Sequence, residues 1–301
     1  METLLEPFQY DFMLRAFGIS GIIAAVGAVL SCFLVLRGWS LMGDAISHAV
    51  LPGIVIAYII GIPLVIGAFA SGLFCALATG WIKANSRIKE DTVMGVVFTG
   101  MFAVGLVIFS RTPTELHLDH ILYGHILGLT KPLIIETASI SVVVLVVVVA
   151  LRRDLLLICF DPSHAKALGL HVRGLTYLLL TLLSLTIVAT MQAVGVILVV
   201  AALITPGATA LLLTKRFDRM LVIAVSTSVV SAWVGVYTSF KINGSPAACI
   251  VLTQAAVFIC ALLCAPGCGL LRRRAPQALA VSLWGAQRGA IGLRRSVGSS
   301  R

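Results

Sequence analysis

The chain has 301 residues, 59% of them hydrophobic and only 11% charged, with mean hydropathy +1.08 and a formal net charge of +10. Soluble domains carry about 25% charged residues, so this composition excludes an ordinary globular enzyme, a disordered chain and a nucleic-acid binder. Nor does the charge build an anion-binding face, because seven Arg and no acid lie between Arg272 and Arg301 and leave +3 for everything else.

The N-terminal stretch, with Glu2, Glu6 and Asp11, lacks the basic region and cleavage site of a secretory signal, so the first apolar segment is expected to stay in the mature protein. Apolar segments then recur to Ala265, each long enough to cross a hydrocarbon core of about 30 Å. Strand-like alternation is absent, so helices must satisfy the backbone. Spans are predicted at 16–36, 44–60, 62–82, 94–110, 133–151, 174–190, 192–213, 220–240 and 247–265, with the second open to being broken or re-entrant. The expected fold class is all-α, a polytopic helical membrane protein of about nine spans within a range of eight to ten.

Loop charge orients these spans. Lys83, Arg87 and Lys89 follow the third; Arg152, Arg153, Lys166 and Arg173 follow the fifth; Lys215, Arg216 and Arg219 follow the seventh. Arg37 and Arg272–Arg274 fall on the same side by parity, so the N-terminus is expected outside and the C-terminus in the cytoplasm of a bacterial inner membrane. Residues 1–271 read as one transmembrane domain, and 272–301 as a basic, poorly ordered cytoplasmic tail too short in apolar sequence to cross. Seven cysteines include no CxxC pair and lie mostly in apolar segments, which favours packing over disulfides.

Asp44 and His48 stand near the start of the second span, in Gly43-Asp44-Ala45-Ile46-Ser47-His48. A spacing of four puts both on one helix face, and ionisable groups at such depth mark a pathway by default. An oxygen and a nitrogen ligand suit manganese, iron or zinc, but two ligands are too few, and a second copy across a two-fold axis would give four. The spacing alone fits equally well an Asp that caps the helix and a His that satisfies a neighbour.

The run from Arg37 to Gly53, with Asp161–Leu170 and with Val194–Val199 continuing into Thr205–Ala210, resembles the permease subunits of manganese/zinc/iron ABC importers, especially the chelated-iron and manganese branch. The resemblance covers residues 1 to about 271 and leaves the tail out. It implies an ABC importer permease fold and the metal path through Asp44 and His48. The partners it implies are a second permease chain, a cytoplasmic ABC ATPase dimer and an extracytoplasmic metal-binding protein. Transported Mn2+ or Fe2+, with Zn2+ also admissible, is then cargo, and no cofactor is bound permanently.

Between Asp161 and Arg173 the sequence predicts a short helix, with Asp161 as cap, Pro162 in the first turn and Gly169 as stop. In the family this segment resembles the coupling helix that seats in the ATPase, which assigns Asp161, Pro162, Ala165, Leu168 and Gly169 to docking; a plain connecting helix is the alternative. No phosphate-binding Gly-x-x-x-x-Gly-Lys-Ser/Thr loop occurs, so ATP hydrolysis is expected on another chain and this one is not an enzyme.

Glu115, His117, Asp119, His120 and His125 gather in the external loop after the fourth span, and Glu136 stands near the start of the fifth. They are candidates for metal entry, against solvated loop polarity and, for Glu136, a structural hydrogen bond. Cys260, Cys264 and Cys268 share a helix face and are expected to serve packing, with a soft-metal site of three thiols as the alternative. Thr205-Pro206-Gly207 is expected to break the seventh span, either freeing carbonyls toward a pathway or only kinking it. Two other function classes compete. A gradient-driven secondary carrier would want more intramembrane carboxylates than occur, and an intramembrane acid/base enzyme lacks a nucleophile at recognisable spacing.

Overall fold

Backbone groups in lipid must pair within their own segment, and the described residues answer with helices. The computed structural model describes residues 6–112 and 128–264. After a short 3-10 turn, Glu6–Gln9, come α1 Asp11–Arg37, α2 Met42–Ile60, α3 Leu64–Asn85, α4 Glu90–Arg111, α5 Lys131–Ala150, α6 Arg152–Phe160, α7 Pro162–Ala167, α8 Val172–Val194, α9 Val196–Leu213, α10 Phe217–Ile242 and α11 Pro246–Cys264. All but α6 and α7 are long and apolar enough to cross a membrane, nine spans among the described residues.

Burial sorts these helices into centre and rim. The most apolar window of α1 is 72% buried and that of α4 only 17%. Around α1 the residues Phe33, Leu30, Leu34, Ile19 and Met13 are enclosed, with Ile46 of α2 and Leu179, Leu180 and Leu183 of α8 in the same core. The outward residues are as apolar as the inward ones: Val96, Val107, Ile135, Val222 and Leu252 are all more than 60% exposed. Such a surface belongs in hydrocarbon.

Small residues set the closest helix approaches, as expected where packing rather than hydrophobic exclusion joins helices. Gly53 of α2 and Gly67 of α3 face one another so closely that a Cβ on either would overlap the other's carbonyl oxygen. A Cβ on Gly207 of α9 would lie 2.6 Å from the Ser31 carbonyl oxygen of α1. Between α8 and α9 the chain turns on the single residue Gly195, whose φ of 80° and ψ of 165° are open only to glycine.

Thr205-Pro206-Gly207 does not interrupt α9, which runs on through Pro206. A side chain from α1 bonds beside the proline: Ser31 Oγ donates to the Ile204 carbonyl at 3.1 Å and accepts from the Gly207 N–H at 2.9 Å. The carbonyl that loses its helical donor to Pro206 is that of Ala202, four residues back, so these bonds tie α1 to α9 beside the proline rather than replace the missing one.

The second span is also continuous, with Pro52 accommodated inside α2. α1 is longer than the apolar stretch because Asp11, Arg15 and Arg37 extend it at both ends. α6 was not foreseen as a separate element; it buries Leu155, Ile158 and Cys159 on one side. The six cysteines described are free thiols, and Cys260 and Cys264 are exposed, so these two do not pack within the chain as expected. Cys268 and the 272–301 tail lie outside the described residues.

Candidate metal pair and coupling segment

Asp44 and His48 sit in the first two turns of α2, where an acidic side chain also gains from the helix dipole. The N-cap is Leu41, which makes no side-chain cap bond. Asp44 is therefore not the cap residue. Its Oδ1 lies 3.3 Å from His48 Nε2, with about a third of each side chain open, 38% for Asp44 and 34% for His48. Small buried neighbours, Gly43, Ala45, Ser47 and Ala49, let α2 pack on its other sides and turn this one outward. The Ser47 hydroxyl is occupied by the Gly43 carbonyl at 2.8 Å and adds nothing to the pair.

The imidazole has two further neighbours that sequence reasoning missed. Phe98 of α4 stacks on it at 6.0 Å between centroids, and Phe102, one turn on, meets it edge-on at 5.5 Å. These rings flank the imidazole whose Nε2 lies by Asp44. The only available signal was their spacing of four on a Val-rich helix, which is also what a packing stripe looks like.

A carboxylate oxygen and an imidazole nitrogen within reach of one another can share one divalent ion, each supplying one ligand. No cluster of three or more His, Cys, Asp or Glu with metal-binding geometry exists among the described residues. The pair by itself offers two ligand atoms and is partly open to its surroundings. Beside it, between α2, α3 and α4, an apolar groove of about 660 Å³ is lined by Pro52, Ile56, Ile66, Phe74, Met101 and Val104.

Of the other metal candidates only Glu136 falls among the described residues, and no contact joins it to this pair. Glu136 is exposed on α5 and takes part in none of the three ion pairs among the described residues. Glu115, His117, Asp119, His120 and His125 lie outside the described residues.

The segment after α6 has the local structure its sequence predicts. Asp161 caps α7, its Oδ1 accepting from the N–H groups of Ser163 at 2.9 Å and His164 at 3.0 Å, with Pro162 in the first helical position. Ala165 is fully buried and pins the helix down, whereas Leu168 is 62% exposed. Gly169 ends the helix at φ +81°, a left-handed conformation that side chains resist. A cleft of about 740 Å³ opens here, lined by Pro162, Lys166, Gly169, His171 and Arg173 among others, so an exposed leucine stands beside a basic hollow.

Comparison with known proteins agrees with this architecture. The family model described as the ABC 3 transport family matches residues 9–265. The chelated iron transport system membrane protein YfeD of Yersinia pestis is 57% identical over 258 residues, 86% of this chain and 87% of that protein. The manganese transport system membrane protein MntB of a Synechocystis strain is 48% identical over 268 residues, 89% of this chain and 88% of that protein. Among solved structures, PsaBC from Streptococcus pneumoniae in complex with Fab superposes with a TM-score of 0.80 at 35% identity, covering 91% of this chain and 99% of that one. A membrane-spanning helical chain with this match along nearly its whole described length is a multi-pass transport permease, and it belongs to the ABC 3 transport family.

Proposed function

We propose that this chain is the membrane-spanning permease of an ATP-driven importer for manganese or ferrous iron, with zinc as a further cargo its ligands accept. Metal passes the Asp44/His48 pair by alternating access, and a second permease chain, a copy or a paralogue, supplies the facing half of the shell. A separate pair of ABC ATPase chains docks on Asp161–Gly169, and an extracytoplasmic metal-binding protein delivers the ion. The protein lies in a bacterial inner membrane with its N-terminus outside and its C-terminus in the cytoplasm.

The observation that carries this reading is the half-open Asp44/His48 pair, 3.3 Å apart on one face of α2 and flanked by Phe98 and Phe102. Few ligands suit a transport site, because an ion bound too tightly would not leave. The names of the relatives support manganese and iron as cargo. The test is radioactive manganese uptake in cells expressing this chain with its ATPase, competed in turn by Fe2+ and Zn2+. Uptake should require the ATPase and fall with competing Fe2+. Uptake by this chain alone, driven by an ion gradient, would contradict the reading.

A further inference from the structure

Between the Asp161–Gly169 segment and the metal pair runs a short chain of contacts centred on one side chain. α6 ends at Phe160, and the Ile158 carbonyl has no helical donor, since the residue four along is Pro162, which carries no N–H. Arg37 fills the position: its Nη1 donates to the Ile158 oxygen. The same guanidinium lies over the ring of Trp39, 5.2 Å from its centroid.

Arg37 is the last residue of α1, and Trp39 is in the turn that leads into α2. The Trp39 ring is held, only 4% exposed, and its carbonyl accepts from the Met42 N–H at 3.0 Å at the start of the helix that carries Asp44. On the other side Cys159 gives its thiol to the Phe33 carbonyl at 3.9 Å. Burial pushes the Cys159 thiol up to about 11 despite the opposing pull of Arg37, so it stays neutral beside the guanidinium.

None of the three ion pairs among the described residues involves Arg37. Its charge is directed at a carbonyl and a ring, both on elements adjoining the two functional segments. A surface arginine kept for solubility would have no reason to be fixed at both ends.

We propose that Arg37 is the positioning residue that transmits movement of the α6–α7 corner to the turn before Asp44, coupling ATP hydrolysis to opening of the metal pair. This rests on the reading that an ATPase docks on the Asp161–Gly169 segment. When the corner shifts, the Ile158 carbonyl carries the guanidinium with it. The guanidinium bears on Trp39, and the first turn of α2 follows, so Asp44 and His48 move as a unit against the facing half-site.

The test uses the assembled transporter in proteoliposomes, with Arg37→Gln, Arg37→Lys and Trp39→Leu. Three quantities are read: Mn2+ bound by the purified complex, ATP hydrolysed, and Mn2+ taken up per ATP. Arg37→Gln should assemble, bind Mn2+ and hydrolyse ATP, while uptake per ATP falls about tenfold, within the range of ordinary coupling effects. Arg37→Lys should restore most of it, because an ammonium can still donate to Ile158 and lie over Trp39. An unchanged ratio in Arg37→Gln, or a parallel loss of assembly, binding and hydrolysis, would overturn the proposal. Should Arg37→Gln not accumulate, Trp39→Leu decides: it should lower uptake per ATP, and an unchanged ratio would again overturn the proposal. Failure of the docking reading is seen separately, as a Leu168→Cys variant in an otherwise unaltered chain that never cross-links to the ATPase.

Discussion

At the scale of single residues, this bundle is tied by a few polar side chains that bond to the backbone of a neighbouring helix. Ser31 is the clearest case, since one hydroxyl serves both the Ile204 carbonyl and the Gly207 N–H beside Pro206. Ser31→Ala should lower stability by about 0.5–2 kcal/mol, the range for losing such a contact between membrane helices. Thermal unfolding in detergent checks it, and an unchanged midpoint would mean that the Ser31 contacts add nothing to the α1–α9 seam. Spacing in the sequence revealed Asp44 and His48 because four residues make one helical turn. Phe98 and Phe102 stayed hidden because apolar residues in an apolar helix carry no mark of what they touch. Ser31 with Gly207 and Arg37 with Ile158 are likewise separated by more than a hundred residues, and no local pattern joins them.

At the scale of elements, hydropathy located the spans, because each needs enough apolar residues to cross, and it misjudged what hydropathy does not weigh. Charged ends lengthened α1, and α6 escaped notice because its nine residues are too few to fill a span and Arg152, Arg153 and Asp154 offset its apolar run. The cap, proline and glycine of the Asp161–Gly169 segment were legible because each has a stereochemical role that only a few residue types fill. Its function is tested by substitution. Leu168→Asp places a charge where a largely exposed leucine offers an apolar contact, and Gly169→Val forces a branched side chain into a left-handed conformation. Both should leave the spans intact, shown by normal protein levels and helix content, and reduce uptake per ATP at least about fivefold. Unaltered coupling in both would make α7 a plain connector.

At the scale of the whole molecule, the basic ends of α1, α6 and α10 meet. Arg37 at the end of α1 reaches α6, and Arg152 at the start of α6 lies 3.6 Å from Asp218 at the start of α10. Helix parity and these contacts agree on which ends are together, and the Lys/Arg bias then predicts that this end is cytoplasmic. A reporter active only in the cytoplasm, fused after Leu271, should function; activity only after export would reverse the topology.

The account's central claim is that Asp44 and His48 carry the metal, and Asp44→Asn tests it most directly. The substitution keeps the size and shape of the side chain and removes only the anionic oxygen, and no cap is lost because the N-cap is Leu41. The initial rate of manganese uptake should fall at least about tenfold at normal protein levels, since even losing a group that only supports a metal ligand costs about 10–100-fold. Wild-type uptake by Asp44→Asn at equal abundance would contradict the account.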